Sequence, residues 1–314
     1  MPAVRTGTRG AVITGWGTAL PPKILTNADL EQMMDTNDQW IVERTGIRER
    51  HVGGTTADLS IESARQALDM AGLQPGEIDG LILATTTPDR RVPATASTVQ
   101  HELGLSCGAF DVNAACSGWV YALINAHGMI AMGADKVLVV GTDTLARITD
   151  WEDRNTAVLF ADGSGAVVLE AVDEGGGELL SWDLDSDGSA ERFLYCDFDA
   201  KMQMDGKEVF RRAVRVMVDS GKKSMAHAGV TADDIALVVP HQANIRIIQA
   251  MAKRLELPME RVIVTVQDHG NTSTASVPLA LDVGVRDGRV KRGDLLLLEA
   301  FGGGFTWGSA LIRY

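Results

Sequence analysis

Near-continuous apolar runs, bounded by small or turn-forming residues, recur along the whole chain. They fall at Ala11–Gly15, Gly80–Thr86, Lys136–Gly141, Ala166–Ala171, Ile235–Pro240, Arg261–Val266 and Asp294–Ala300. Runs with so little polar alternation fit strands covered on both faces. Helical patterns lie between them, over Asp58–Ala71, Thr95–Leu103, Ser117–Met132, Gly206–Ala228, Ile245–Leu255 and Ser273–Val283. Strands alternating with helices predict an α/β protein in which helices pack on sheets. Gly72 and Gly104 directly follow two of the helical segments and are expected to stop them. The stretch Asp173–Ala190, rich in Gly, Asp and Ser, reads as a connection between two halves, residues 1–172 and 173–314. A weak repeat supports the division. Phe110–Leu123 and Val266–Leu281 each read as strand, small-residue turn and helix, and AVLFADGSGAVVL resembles LEAFGGGFTWGSALI. Two such halves set equivalent turns face to face, and their junction is where a site is expected.

Composition narrows the classes. The chain has 314 residues, about twice the common domain size. Lys plus Arg total 29 against 42 Asp plus Glu, a formal charge of -13. That balance opposes nucleic-acid binding, which runs on phosphate neutralisation. Cys107, Cys116 and Cys196 are odd in number and widely spaced, with no zinc-like pattern, so a reducing compartment is expected. No secretory leader and no run of about 18 apolar residues is seen, and a cytoplasmic protein without a membrane span is the expectation.

Cys116 is the sharpest local signal. Asp111-Val112-Asn113 closes a strand, Ala114-Ala115 is a tight approach, and Ser117-Gly118-Trp119 opens an apolar-periodic helix. Free N–H groups at a helix start favour a thiolate and can hold an oxyanion. A free cysteine also packs as a small hydrophobe, the reading kept for Cys107 and Cys196. A nucleophilic cysteine needs a partner close in space. His241 ends an apolar strand and precedes Gln242-Ala243-Asn244, a position that points into the crevice of an α/β sheet or simply caps a helix. Asn271, in His269-Gly270-Asn271-Thr272-Ser273, is a turn or cap residue on its own terms, yet it occupies the turn equivalent to that of Cys116.

Taken together these residues resemble the β-ketoacyl-acyl-carrier-protein synthase III family, of the thiolase fold. The resemblance covers almost the whole chain. It rests on WIVERTGIRERH (Trp40–His51), NAACSG (Asn113–Gly118), FADGSGA (Phe160–Ala166), PHQAN (Pro240–Asn244), HGNTSTASVP (His269–Pro278) and FGGGFTWGSAL (Phe301–Leu311). It implies a five-layer αβαβα architecture of two similar halves and a homodimer. It implies a catalytic triad of Cys116, His241 and Asn271, and an oxyanion hole from the amides of Cys116 and Gly303. The implied reaction is a decarboxylating condensation of a primer acyl-CoA with malonyl-acyl carrier protein through an acyl-cysteine, initiating fatty-acid synthesis, with no metal or redox cofactor.

Further roles follow from the same resemblance. Trp40 would stack on the CoA adenine beside Arg44 and Arg154, since an aromatic face and a guanidinium plane both suit a base. Gly206 and Asn244 would line the pantetheine tunnel. The acidic carrier protein would meet Gln242, Ala243, Asn244, Ile245 and Arg246, with Arg211, Arg212, Arg215, Lys253 and Arg254 making a local basic patch. Val92 matches a position where relatives carry a bulky residue reaching the partner subunit's acyl pocket, so a smaller side chain implies room for longer or branched primers. A related synthase priming a polyketide is the nearest alternative, and a non-catalytic partner subunit would be expected to lose Cys116. A degradative thiolase needs a second cysteine in a suitable motif, and a hydroxymethylglutaryl-CoA synthase needs an active-site glutamate; neither is visible. Gly15-Trp16-Gly17 lacks the third glycine of a dinucleotide loop, and the Asp183–Gly188 run has Leu194 where a calcium loop needs Glu.

Overall fold

The computed structural model describes residues 9–172 and 178–314. Residues before 173 build a five-stranded sheet in the order Gly10–Ala19, Asp162–Val172, Lys136–Thr144, Gly80–Ala84 and Gly108–Val112. Residues after 177 build a four-stranded sheet in the order Leu237–Pro240, Leu295–Gly302, Thr306–Arg313 and Glu178–Ser186. The sheets are mixed. Gly80–Ala84 runs parallel to both neighbours, whereas Lys136–Thr144 and Asp162–Val172 pair antiparallel.

Three buried clusters define five layers. Ala64, Ala67 and Leu68 of helix Thr56–Ala71, with Ala96 and Val99 of helix Thr95–Glu102, cover the outer face of the first sheet through Leu81, Leu83, Leu138 and Val140. Helices Gly118–Ala131 and Ser276–Arg286 fill the middle, where Trp119, Leu123, Val277 and Leu281 meet both sheets. Helices Gly206–Ala228 and Ile245–Arg254 cover the outer face of the second sheet through Val238, Leu297 and Leu311. This αβαβα arrangement explains why the strands read as apolar on both faces: each sheet is sandwiched.

Local signals account for the helix ends. Thr55 caps the helix at Thr56 by accepting from Asp58 N, and Gly72 ends it in the left-handed conformation at φ 70°. Gly104, also at φ 70°, follows the next helix, so both expected stops hold.

Two expectations are overturned. Asp173–Ala190 is not simply a connection, for Glu178–Ser186 pairs along Thr306–Arg313; residues 173–177 lie outside the described residues. The strand hid because its inward face carries Ser181 and Asp183, both fully buried, beside Leu179. Ser181 Oγ donates to Ser224 O at 2.6 Å, and Lys223 Nζ lies 3.6 Å from Asp183. The run Arg261–Val266 is not a strand. It makes one bridge, Val262 to Val238, and the chain then turns into the short helix Val266–His269 that delivers Asn271. The last predicted helix likewise begins with a 3-10 turn, Ser273–Ala275, before Ser276–Arg286.

Candidate active site

Cys116 sits at the corner between strand Gly108–Val112 and helix Gly118–Ala131. Ala115 adopts φ 46°, and the corner closes through Ser117 N to Ala114 O (3.2 Å) and Gly118 N to Ala115 O (2.9 Å). The hydroxyls of Ser117 and, from the other half of the chain, Thr306 both donate to Ala114 O at 2.6 Å. Gly302 packs directly on this corner. A Cβ there would fall 2.5 Å from Cys116 N and 2.8 Å from Ala115 Cβ. Gly302→Ala therefore has to displace the nucleophile's own backbone, and a shift approaching 1 Å costs about 100-fold in a positioned reaction. That loss is expected in the rate at which Cys116 takes up an acyl group, followed by intact-protein mass spectrometry. A wild-type rate would show that the corner has slack.

His241 follows strand Leu237–Pro240 and extends its pairing, donating its backbone N–H to Glu299 O at 2.7 Å. The ring is 3% exposed, and its Nδ1 lies 2.6 Å from Ser276 Oγ. Ser276 can donate or accept, so the contact serves either neutral tautomer and leaves Nε2 for other partners. Burial pushes the imidazole down to about 3, so it is neutral near pH 7. Asn271 is held by its backbone, with Asn271 N to Leu159 O at 3.0 Å and Ala161 N to Asn271 O at 2.9 Å. Its Oδ1 accepts from Ser273 N at 3.0 Å, which leaves the amide Nδ2 as the donor to offer a ligand.

Cys116, His241 and Asn271 all line one cavity of about 1180 Å³. Buried His241, Asn271 and Ser273 mark its inner end; exposed Arg44, Lys207 and Arg246 mark its mouth. The expectation of a resting thiolate is corrected here. Burial pushes the Cys116 thiol up to about 12, outweighing the hydrogen bond from Ser273, and the helix proper starts only at Gly118. The site at rest holds a neutral thiol and a neutral imidazole.

Sequence comparison places this geometry among known proteins. The profile described as 3-oxoacyl-[acyl-carrier-protein (ACP)] synthase III matches residues 110–188, and the profile for its C-terminal part matches residues 225–314. The β-ketoacyl-[acyl-carrier-protein] synthase III of Rhizorhabdus wittichii is 54% identical, covering 98% of this chain and 100% of that protein. The chain belongs to the β-ketoacyl-acyl-carrier-protein synthase III family. The crystal structure of 3-oxoacyl-[acyl-carrier-protein] synthase III from Aquifex aeolicus superposes at a TM-score of 0.95, with 46% identity over 97% of this chain and 100% of that one. The priming β-ketosynthase of the R1128 polyketide biosynthetic pathway superposes at 0.91, with 35% identity over 99% of this chain and 98% of that one. The thiolase fold expected from the motifs is thus the fold observed.

The remaining residues marked out by the synthase III resemblance are placed unevenly. Trp40, on helix Asp38–Thr45, lines the cavity, and the guanidiniums of Arg44 and Arg154 lie 4.7 and 4.1 Å from its ring centroid. Gly206, Ala243, Asn244, Arg246 and Gly303 also line the cavity. Ile245 does not; it packs against Gly46. Gln242 is withdrawn from any docking role. It is 1% exposed, donates to Pro240 O and Ile263 O, and accepts from Thr265 N and Val266 N, so every polar atom of its amide is spent on the fold. The basic patch is weaker than its count implied. Arg211 donates to Glu208 at 2.6 Å, Arg212 lies 3.6 Å from Asp187 and 3.5 Å from Glu208, and Lys253 and Arg254 occupy the far end of their helix. Val92 is 83% exposed and is not part of this chain's cavity lining.

Other functional positions escaped the motifs. Cys196, set aside as structural, lines the cavity, as do Met204 and Phe301. Cys107 does pack against the first sheet's outer cluster. Ser273 and Ser276, which touch Cys116 and His241, had no signal beyond their place inside a matching motif. His269 ends its short helix outside the cavity lining.

Proposed function

We propose that this chain condenses a primer acyl-CoA with malonyl-acyl carrier protein, giving 3-oxoacyl-acyl carrier protein, CoA and carbon dioxide at the start of fatty-acid synthesis. The observation that carries the reading is the convergence of Cys116 from one half with His241 and Asn271 from the other on a single cavity. In the first half-reaction Cys116 Sγ attacks the primer thioester carbonyl. Because thiol and imidazole are both neutral at rest, the proton passes from sulfur to His241 as the S–C bond forms, and then to the departing CoA sulfur. The amides of Cys116 and Gly303 hold the oxyanion. In the second half-reaction His241 acts in its other neutral tautomer, with Ser276 Oγ donating to Nδ1 and the ring proton on Nε2. Nε2–H and Asn271 Nδ2–H hydrogen-bond the malonyl thioester oxygen, stabilising the enolate left by carbon dioxide, which attacks the acyl-cysteine. The reaction so written calls for neither metal nor redox cofactor.

Trp40 and its two arginines receive the adenine end of CoA; the base stacks by displacing one guanidinium or by entering between it and the ring. Gly206 and Asn244 border the pantetheine path. Arg246, exposed at the cavity mouth, is the leading contact for an acidic carrier protein, with Arg211 and Arg212 behind it and partly committed to acids of their own. The enzyme works as a cytoplasmic homodimer, and Val92, outside its own cavity, meets the partner's acyl pocket.

A mass-spectrometric assay with malonyl-acyl carrier protein and a mixed pool of acyl-CoA primers tests reaction and starter preference together. The expected product is the 3-oxoacyl-carrier adduct, with isobutyryl and longer primers accepted beside acetyl because Val92 is small. Strict acetyl preference would overturn the Val92 reading. Exclusive use of a primer serving a secondary pathway would favour polyketide priming, the reading to which the R1128 neighbour lends weight.

A further inference from the structure

Ser273 reaches Cys116 from 157 residues further along the chain: its Oγ lies 3.2 Å from Cys116 Sγ. The contact is held under backbone strain. Ser273 adopts φ 52°, a region in which residues other than glycine are uncommon. Such a conformation persists only where its surroundings over-determine it. Here they do. Ser273 N donates to Asn271 Oδ1, and the next residue, Thr274, gives both its N–H (3.1 Å) and its hydroxyl (2.8 Å) to Asp143 Oδ2. Asp143 is fully buried on strand Lys136–Thr144 of the first sheet. Its other oxygen accepts from Thr85 Oγ1, from the N–H and hydroxyl of Thr86, and from the N–H and hydroxyl of Thr87. One carboxylate thus ties the turn after strand Gly80–Ala84 to the turn that carries Asn271 and Ser273.

We propose that Ser273 is a further catalytic residue, donating its hydroxyl to the Cys116 sulfur whenever that sulfur carries negative charge, and that Asp143 is the positioning residue that aims it. The proposal rests on the reading of Cys116 as the acyl carrier. In the condensation step the C–C bond to the malonyl carboxylate breaks and carbon dioxide leaves, with the electron pair remaining on carbon. That carbon bonds to the acyl carbonyl, the C–S bond to Cys116 breaks, and sulfur departs with its electron pair. One negative charge has passed from carboxylate to sulfur without any proton. It arrives where burial strongly opposes a thiolate and the Asp143 charge opposes it further, so a donor already on the sulfur acts on this step directly.

Ser273→Ala and Ser273→Gly test the idea together. Both delete the hydroxyl, but glycine adopts φ 52° without strain. In folded protein, iodoacetamide alkylation of Cys116 at about pH 8 is expected to fall about tenfold in both, with its pH profile moved upward by about one unit, the size of a hydrogen bond to a charged group. Breakdown of preformed acyl-enzyme by malonyl-acyl carrier protein should slow by a similar factor. A wild-type alkylation rate and profile in Ser273→Gly would overturn the proposal, because strain and not the hydroxyl would then explain any defect in Ser273→Ala. Asp143→Asn also removes a charge that opposes the thiolate, so it should speed alkylation in Ser273→Gly, where no hydroxyl is left to aim. The gain should be smaller or reversed in the wild-type background, where the aim is lost; an equal gain in both backgrounds would remove the positioning role. Alkylation needs no acyl substrate. A wild-type enzyme that alkylates at Cys116 yet takes acyl groups from no acyl-CoA would defeat the proposed function, while the Ser273 contact would still be decided by the alkylation rates.

Discussion

Cys116→Ala is expected to fold normally and to lose condensation by at least about 10,000-fold, with no acyl-enzyme detectable by intact mass. The same variant should still release carbon dioxide from malonyl-acyl carrier protein, within about tenfold of wild type. The split follows from how the site is built. Cys116 belongs to a strand-to-helix corner of the first half, whereas His241 and Asn271 hang from the second sheet and from the backbone of Leu159 and Ala161. Neither donor depends on the sulfur for its position. Removing the sulfur deletes the acyl carrier and leaves the enolate-stabilising pair in place. Loss of decarboxylation together with condensation would mean that the three side chains act as one unit, and the assignment of the two half-reactions to different groups would fail.

How far the sequence discloses this site depends on what each residue spends its chemistry on. Apolar runs announce strands covered on both faces, and their alternation with helical patterns makes the covering layers helices. Helix stops at Gly72 and Gly104 are legible because only glycine enters the left-handed region freely. The strand Glu178–Ser186 is not legible. Its buried face carries Ser181 and Asp183, whose nearest polar partners, Ser224 O and the Lys223 ammonium, lie on a helix more than 35 residues away in sequence. Gln242 misleads for the converse reason: a polar residue in a surface-looking motif turns out to brace two loops from inside. The glycine run shows the limit of motif reading within a turn. Gly303 lines the cavity, yet it is Gly302 whose missing side chain lets Cys116 come close, and only the packing of two distant segments distinguishes them. Ser273 is the extreme case, since a serine near a reactive asparagine carries no signature until the fold sets its oxygen on the sulfur.

The buried imidazole of His241 makes its own prediction about acid. Its titration lies near 3 in the fold, below the ordinary 6.5, because burial disfavours the imidazolium. A group depressed in this way contributes stability that is complete above 6.5 and is lost as pH falls toward 3, since the unfolded chain takes up the proton first. Each pH unit in that window costs about 1.4 kcal/mol, so wild type loses about 2 kcal/mol between pH 7 and pH 5 through this residue. His127, lowered by burial to about 4, acts in the same sense, while Asp162, raised by burial to about 6, and Glu299, raised by burial, act in the opposite one, so absolute stability mixes several groups. Urea denaturation of wild type and His241→Asn at both pH values isolates this histidine, because every other titrating group cancels in the difference. The gap between the two proteins should change in the variant's favour by about 2 kcal/mol on going from pH 7 to pH 5. Parallel stabilities would show that the ring titrates normally and is not shielded. Turnover offers an independent reading of the same physics. A neutral His241 in the folded enzyme means that activity should show no titration near 6.5, and acid inactivation should track unfolding instead.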